Sequence, residues 1–80
     1  MTRNEVLLKL QEIFRDIFDE ANMHIENETN AEDIEDWDSL NHVNLITAVE
    51  QEFSIRFALG ELGELQDVGS MIDFIMVKIQ

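Results

Sequence analysis

The sequence predicts an all-α protein, a small four-helix bundle with three longer helices and one short helix. Three segments repeat apolar residues at intervals of three and four, which is typical of amphipathic helices. No segment alternates apolar and polar residues as a half-buried strand does, and the 80 residues include no proline. A chain of this length has room for one hydrophobic core, so we expect a single domain spanning residues 1–80.

The first segment predicts a helix from about Asn4 to Asp19, with Thr2 or Asn4 as its N-cap. Its apolar stripe consists of Val6, Leu7, Leu10, Ile13, Phe14, Ile17 and Phe18. Charged residues occupy the opposite face and include three bases, so this segment is neither a signal sequence nor a membrane-spanning helix.

The next segment, residues 20–37, is polar and acidic and shows no lasting periodicity. We call it the acidic loop and expect it to join the first two long helices. A connection of this length in a small domain is usually functional or fastened to the core. Ile25, Ile34 and Trp37 are the expected apolar anchors, with Trp37 as a pin rather than a partner contact.

Charge is concentrated in this region. The formal net charge is −13, and residues 19–38 hold nine acids and no base. Such a surface excludes nucleic acids and anionic membranes as partners and favours enzymes with basic surfaces. The chain has no cysteine, which excludes disulfides and thiolate metal sites and indicates the cytoplasm.

A second helix is expected to start after Asp38, which can cap it, and to place Ser39 in its first turn. It should end near Phe53. Its inward stripe is predicted to be Leu45, Ile46, Val49 and Phe53, while Leu40, Val43 and Thr47 lie partly on another face. Ser39 would therefore display a hydroxyl at the positive end of a helix, where anions are favoured.

Two further helices complete the prediction. Residues 59–65 are expected to form a short helix, weakened by Gly60 and Gly63. Asp67 is the expected cap of a last helix, with either Ile55 or Phe57 folding inward before it. The apolar positions of the last helix are Val68, Met71, Ile72, Ile75 and Ile79.

These features resemble the acyl carrier protein family along nearly the whole chain. The Asp38-Ser39-Leu40 triplet stands where that family has its attachment motif. Residues 49–53, an acidic helix end closing on phenylalanine, and residues 67–75, with their Val-Gly and Ile-Asp steps, follow in register. The Asp-Ser-Leu triplet alone is a weak signal. The triplet together with the two later segments, in register in a chain of this length, is a signal specific to the family.

The resemblance implies a carrier, not an enzyme, with 4′-phosphopantetheine covalently attached to Ser39 and acyl groups held as thioesters. It implies a monomer that a phosphopantetheinyl transferase modifies and that acyl-loading and acyl-transferring enzymes then bind. We expect no metal. The partner-contact residues are predicted to be Asp38, Leu40, Asn41, Val43, Asn44 and Thr47.

The second helix departs from the pattern of fatty-acid-synthesis carriers, in which acids follow the serine closely. Here the next acid after Ser39 is Glu50, Thr47 stands at a usually apolar contact position, and Trp37 precedes Asp38. This pattern favours a specialised stand-alone carrier of a polyketide, lipid, peptide-synthetase or cell-surface pathway. The alternatives are a peptidyl or aminoacyl carrier, or an acidic helical adaptor that is never modified and that docks basic proteins through residues 26–38.

Other chemistries fit the sequence less well. Asp38, Ser39 and His42 include the residue types of a hydrolase triad, but no oxyanion hole is evident, and His42 is expected to be an exposed helix residue. A calcium loop starting at Asp33 would need glycine at its sixth position and glutamate at its twelfth, and this sequence has Asp38 and Asn44 there. Residues that could line an acyl cleft are better explained as core; they are Ile46, Val49, Phe53, Phe57 and Ile72.

Overall fold

The computed structural model describes all residues 1–80 and contains four helices. They are α1 (Arg3–Ile17), α2 (Ser39–Phe53), α3 (Leu59–Leu62) and α4 (Val68–Lys78). No strand is present; one isolated bridge pairs Asn30 with Asp67. The predicted all-α architecture of three longer helices and one short helix is confirmed.

Each long helix begins where a side chain accepts the hydrogen bond of a free N–H group. Thr2 and Glu5 form a capping box at α1, while Asp38 and Asp67 cap α2 and α4. The helix α1 ends two residues before the predicted Asp19, because Asp19 adopts a left-handed conformation with φ of 52° that α-helices exclude. Ser54 closes α2 in the same conformation, with φ of 55°.

The core lies between α1, α2 and α4, and it also receives side chains from the acidic loop and the connections. Helix α3 contributes no buried residue and stops at Leu62, three residues short of the prediction, since Gly63 is its C-cap. Ile55 is the buried residue of the α2–α3 connection, whereas Phe57 is half-buried against Phe74. Four of the five possible cleft residues are core: Ile46, Val49, Phe53 and Ile72.

The acidic loop is fastened to both α1 and α4. The buried Gln11 side chain accepts a hydrogen bond from the Ile25 N–H at 3.0 Å. At the other side, the Thr29 carbonyl accepts from the Val68 N–H and the Asn27 carbonyl accepts from the Gly69 N–H, both at 2.9 Å. These bonds fix the middle of the loop before it reaches α2.

A β-carbon on Gly69 would lie 3.1 Å from the Asn27 carbonyl oxygen, so this close approach of loop and helix favours glycine. None of the four helices combines the length and the apolar character needed to cross a membrane.

Candidate functional site

Ser39 is the first residue of α2, and its side chain is exposed. Its position is set by Asp38, whose carboxylate accepts from the Asn41 N–H at 2.9 Å and whose carbonyl accepts from the His42 N–H at 2.8 Å. The N–H groups of Ser39 and Leu40 have no acceptor within the protein. The serine hydroxyl is therefore presented to solvent beside two free N–H groups at the positive end of a helix.

Trp37 fixes the end of the acidic loop next to this serine. Its side chain is buried, and its ring packs edge-on against Phe14 with centroids 5.3 Å apart. Phe18 lies on the same cluster, 6.4 Å from Trp37. The expected role of Trp37 as a pin is confirmed, and the same holds for Ile25 and Ile34, which are also buried.

The expectation that His42 is an exposed helix residue is wrong. His42 is half-buried, and its Nδ1 accepts a hydrogen bond from the Trp37 indole N–H at 2.9 Å. The two rings stack with centroids 6.0 Å apart and an interplanar angle of 20°. The path of the acidic loop places Trp37 against the first turn of α2, where it contacts His42. A contact that depends on the path of a loop leaves no periodic signal in the sequence.

The hydrogen bonds of the same residues exclude a hydrolase triad. Asp38 directs its carboxylate to the Asn41 N–H, and His42 Nδ1 is occupied by Trp37, so no carboxylate orients the imidazole. No cluster of metal-ligating side chains is present either.

Ser39 opens onto a groove of about 750 Å³. Its lining comes from the acidic loop, from the start of α2, and from the end of α3 with the connection between α3 and α4. The lining residues are Asn30, Ala31, Glu32, Trp37, Asp38, Ser39, His42, Leu62, Gly63, Leu65, Gln66 and Asp67. The contribution of the α3–α4 connection was not predicted, because that segment is distant from Ser39 in sequence and no residue pattern in it points to the groove.

The predicted partner-contact residues divide into two groups. Leu40 and Val43 are 71% and 61% exposed, large values for apolar side chains, and Asn44 and Thr47 are exposed beside them. The other two are tied to the start of α2: Asn41 is half-buried and donates from its side-chain amide to the Asp36 carbonyl at 2.8 Å, and Asp38 is exposed but its carboxylate caps the helix. The first four side chains share an exposed face of α2 beyond Ser39, which we call the α2 face.

Comparison with known proteins agrees with this architecture. No family model matches the chain. An acyl carrier protein from Acidothermus cellulolyticus is 29% identical over 75 residues, covering 94% of this chain and 89% of the relative. The solution NMR structure of a holo acyl carrier protein from Geobacter metallireducens is 44% identical, with a TM-score of 0.86 over 92% of this chain and 85% of that one.

The chain belongs to the acyl carrier protein family.

This membership confirms the resemblance found in the sequence. It also agrees with the expectation of a carrier rather than an enzyme, since both relatives are named as carriers.

Proposed function

We propose that this acyl carrier protein is modified at Ser39 with 4′-phosphopantetheine and presents acyl groups to biosynthetic enzymes. The observation that carries the proposal is the exposed Ser39 hydroxyl at the start of α2, beside free N–H groups that suit a phosphate oxygen. The Geobacter relative is a holo form, which supports the same modification here. We also propose that the protein is cytoplasmic, because coenzyme A and the transferase meet there.

The attachment is a transfer from coenzyme A. The Ser39 oxygen forms a bond to phosphorus while the pyrophosphate bond of coenzyme A breaks, the adenosine bisphosphate part leaves, and the serine proton passes to a base of the transferase. When bound, the prosthetic group supplies a terminal thiol that holds acyl groups as thioesters. The groove beside Ser39 gives the arm a mixed polar and apolar surface on which to lie.

Two features of the α2 face support a specialised rather than general pathway. The face offers Leu40 and Val43 with the neutral polar residues Asn44 and Thr47, and the first acid after Ser39 is Glu50. Partner enzymes would dock here mainly by apolar contact, while the acidic loop attracts their basic surfaces at longer range. A polyketide, lipid or cell-surface pathway fits this face; a peptidyl or aminoacyl carrier is the alternative.

The test is an intact mass measurement after incubation with coenzyme A and a broad-specificity phosphopantetheinyl transferase. The wild type should gain one phosphopantetheine and Ser39→Ala none. Ser70→Ala is the matched control, because Ser70 also lies in the first turn of a helix capped by an aspartate. If folded wild-type protein gained no mass with several transferases, the unmodified adaptor would become the better interpretation.

A further inference from the structure

The Trp37–His42 pair holds an imidazole in one orientation beside Ser39. Trp37 is 6% exposed and locked by Phe14, so the indole N–H that bonds His42 Nδ1 has a fixed position. His42 lies three residues after Ser39, which places their β-carbons about 5–6 Å apart on one side of the helix. Both residues line the groove.

The hydrogen bond also selects the tautomer of His42. Because Nδ1 accepts from Trp37, the neutral ring carries its proton on Nε2. Nε2 makes no hydrogen bond within the protein, and no buried side-chain polar atom lacks a partner, so Nε2 is an accessible donor. The pair therefore offers one oriented N–H group to whatever occupies the groove.

The charges that line the groove indicate what this N–H donor would bind. Three carboxylates line the groove, those of Glu32, Asp38 and Asp67, and His42 is the single lining residue that can carry a positive charge. A phosphodiester on Ser39 adds a further negative charge among these carboxylates. A hydrogen bond from the Nε2–H group of the His42 imidazole offsets this repulsion.

We propose that His42 Nε2–H donates a hydrogen bond to a phosphodiester oxygen of the group attached to Ser39 and so positions the arm at the groove. This role rests on the proposed modification of Ser39. Trp37 acts through His42, as the residue that sets its tautomer and orientation.

The test is the ³¹P NMR shift of the modified protein followed from about pH 5 to 8, the range in which histidine is the side chain that ordinarily titrates. The phosphodiester keeps its single charge throughout, so a step in its shift reports a neighbouring group. We expect a step in the wild type, its loss in His42→Gln, and its retention in His24→Gln, since His24 lies in the acidic loop outside the groove. Trp37→Phe should alter the step, because His42 Nδ1 then takes up a proton without giving up the hydrogen bond from Trp37.

A flat titration in modified wild-type protein would overturn the role of His42, and so would a step that survives in folded His42→Gln. The wild-type titration is decisive even if a variant fails to fold. Absence of any ³¹P signal, together with no mass gain, would instead refute the modification of Ser39, and this inference with it.

Discussion

Replacing Gln11 with methionine tests how the acidic loop is fastened to α1. Gln11 is the one buried polar residue of the chain, and its side-chain oxygen accepts the Ile25 N–H. Methionine has a similar size and no comparable acceptor, so the change leaves little cavity but strands a buried donor. Ile25 is 1% exposed, and water cannot easily replace the lost acceptor.

The expected cost follows from that stranded donor. An unsatisfied buried N–H group lowers the free energy of unfolding by about 1–3 kcal/mol. In a domain of this size each 1 kcal/mol shifts Tm by about 4–8 °C, so Tm should fall by about 4–24 °C. Urea unfolding followed by far-UV circular dichroism and by the fluorescence of Trp37, the single tryptophan, should show a lower midpoint with an unchanged slope.

Leu8→Met is the matched control, since it places the same residue on α1 at a position that is 53% exposed. It should unfold within about 0.5 kcal/mol of the wild type. Hydrogen exchange at the Ile25 amide should accelerate in Gln11→Met alone. The same midpoint and the same exchange rate in both variants would refute the claim that Gln11 holds the loop.

Three further outcomes are expected. Tm should rise with added sodium chloride, because salt screens the repulsion within a chain of net charge −13; a Tm independent of salt would count against a fold limited by repulsion. Val43→Glu should lower kcat/KM of the transferase about tenfold or more through loss of apolar docking on the α2 face. Val77 of α4 is 72% exposed, and Val77→Glu should leave kcat/KM of the transferase unchanged. Equal losses of kcat/KM in the two variants would contradict the docking role of the α2 face. The Glu61 carboxylate accepts hydrogen bonds from the Ala58 N–H, which has the larger effect, and from the Lys78 ammonium group, and both lower its pKa below the ordinary 4.5. The ionised Glu61 carboxylate therefore stabilises the folded protein above that pH, and this stabilisation is lost as the pH falls through the lowered pKa. The Tm difference between wild type and Glu61→Gln should therefore narrow as the pH falls below about 4.5, and a constant difference would contradict this.

The sequence predicted those parts of the fold that depend on local chemistry. The structure confirms the caps Asp38 and Asp67, Thr2 as one of the two predicted caps of α1, and the inward stripes of the long helices. These features follow from side-chain type and spacing along one segment. The position of Ser39 in the first turn of α2 is local in the same sense. Such features are decided within a few residues, where propensity and periodicity apply.

The parts that could not be predicted depend on contacts between distant segments. The Val68 and Gly69 N–H groups donate to the backbone carbonyls of Thr29 and Asn27, and the one trace of this contact in residue type, Gly69, does not identify the partner segment. The Trp37–His42 bond spans only five residues, but it depends on how the end of the loop packs against Phe14 of the distant helix α1. The groove beside Ser39 likewise exists only once the α3–α4 connection packs opposite the acidic loop.

The measurement that tests the central claim most directly is site-localising tandem mass spectrometry of the wild-type protein after reaction with coenzyme A and the transferase. We expect the phosphopantetheine on the peptide that contains Ser39, and on no other peptide. Its presence on another residue, such as Ser54 or Ser70, or its absence from a folded and fully reacted chain, would contradict the assignment of Ser39 as the attachment site.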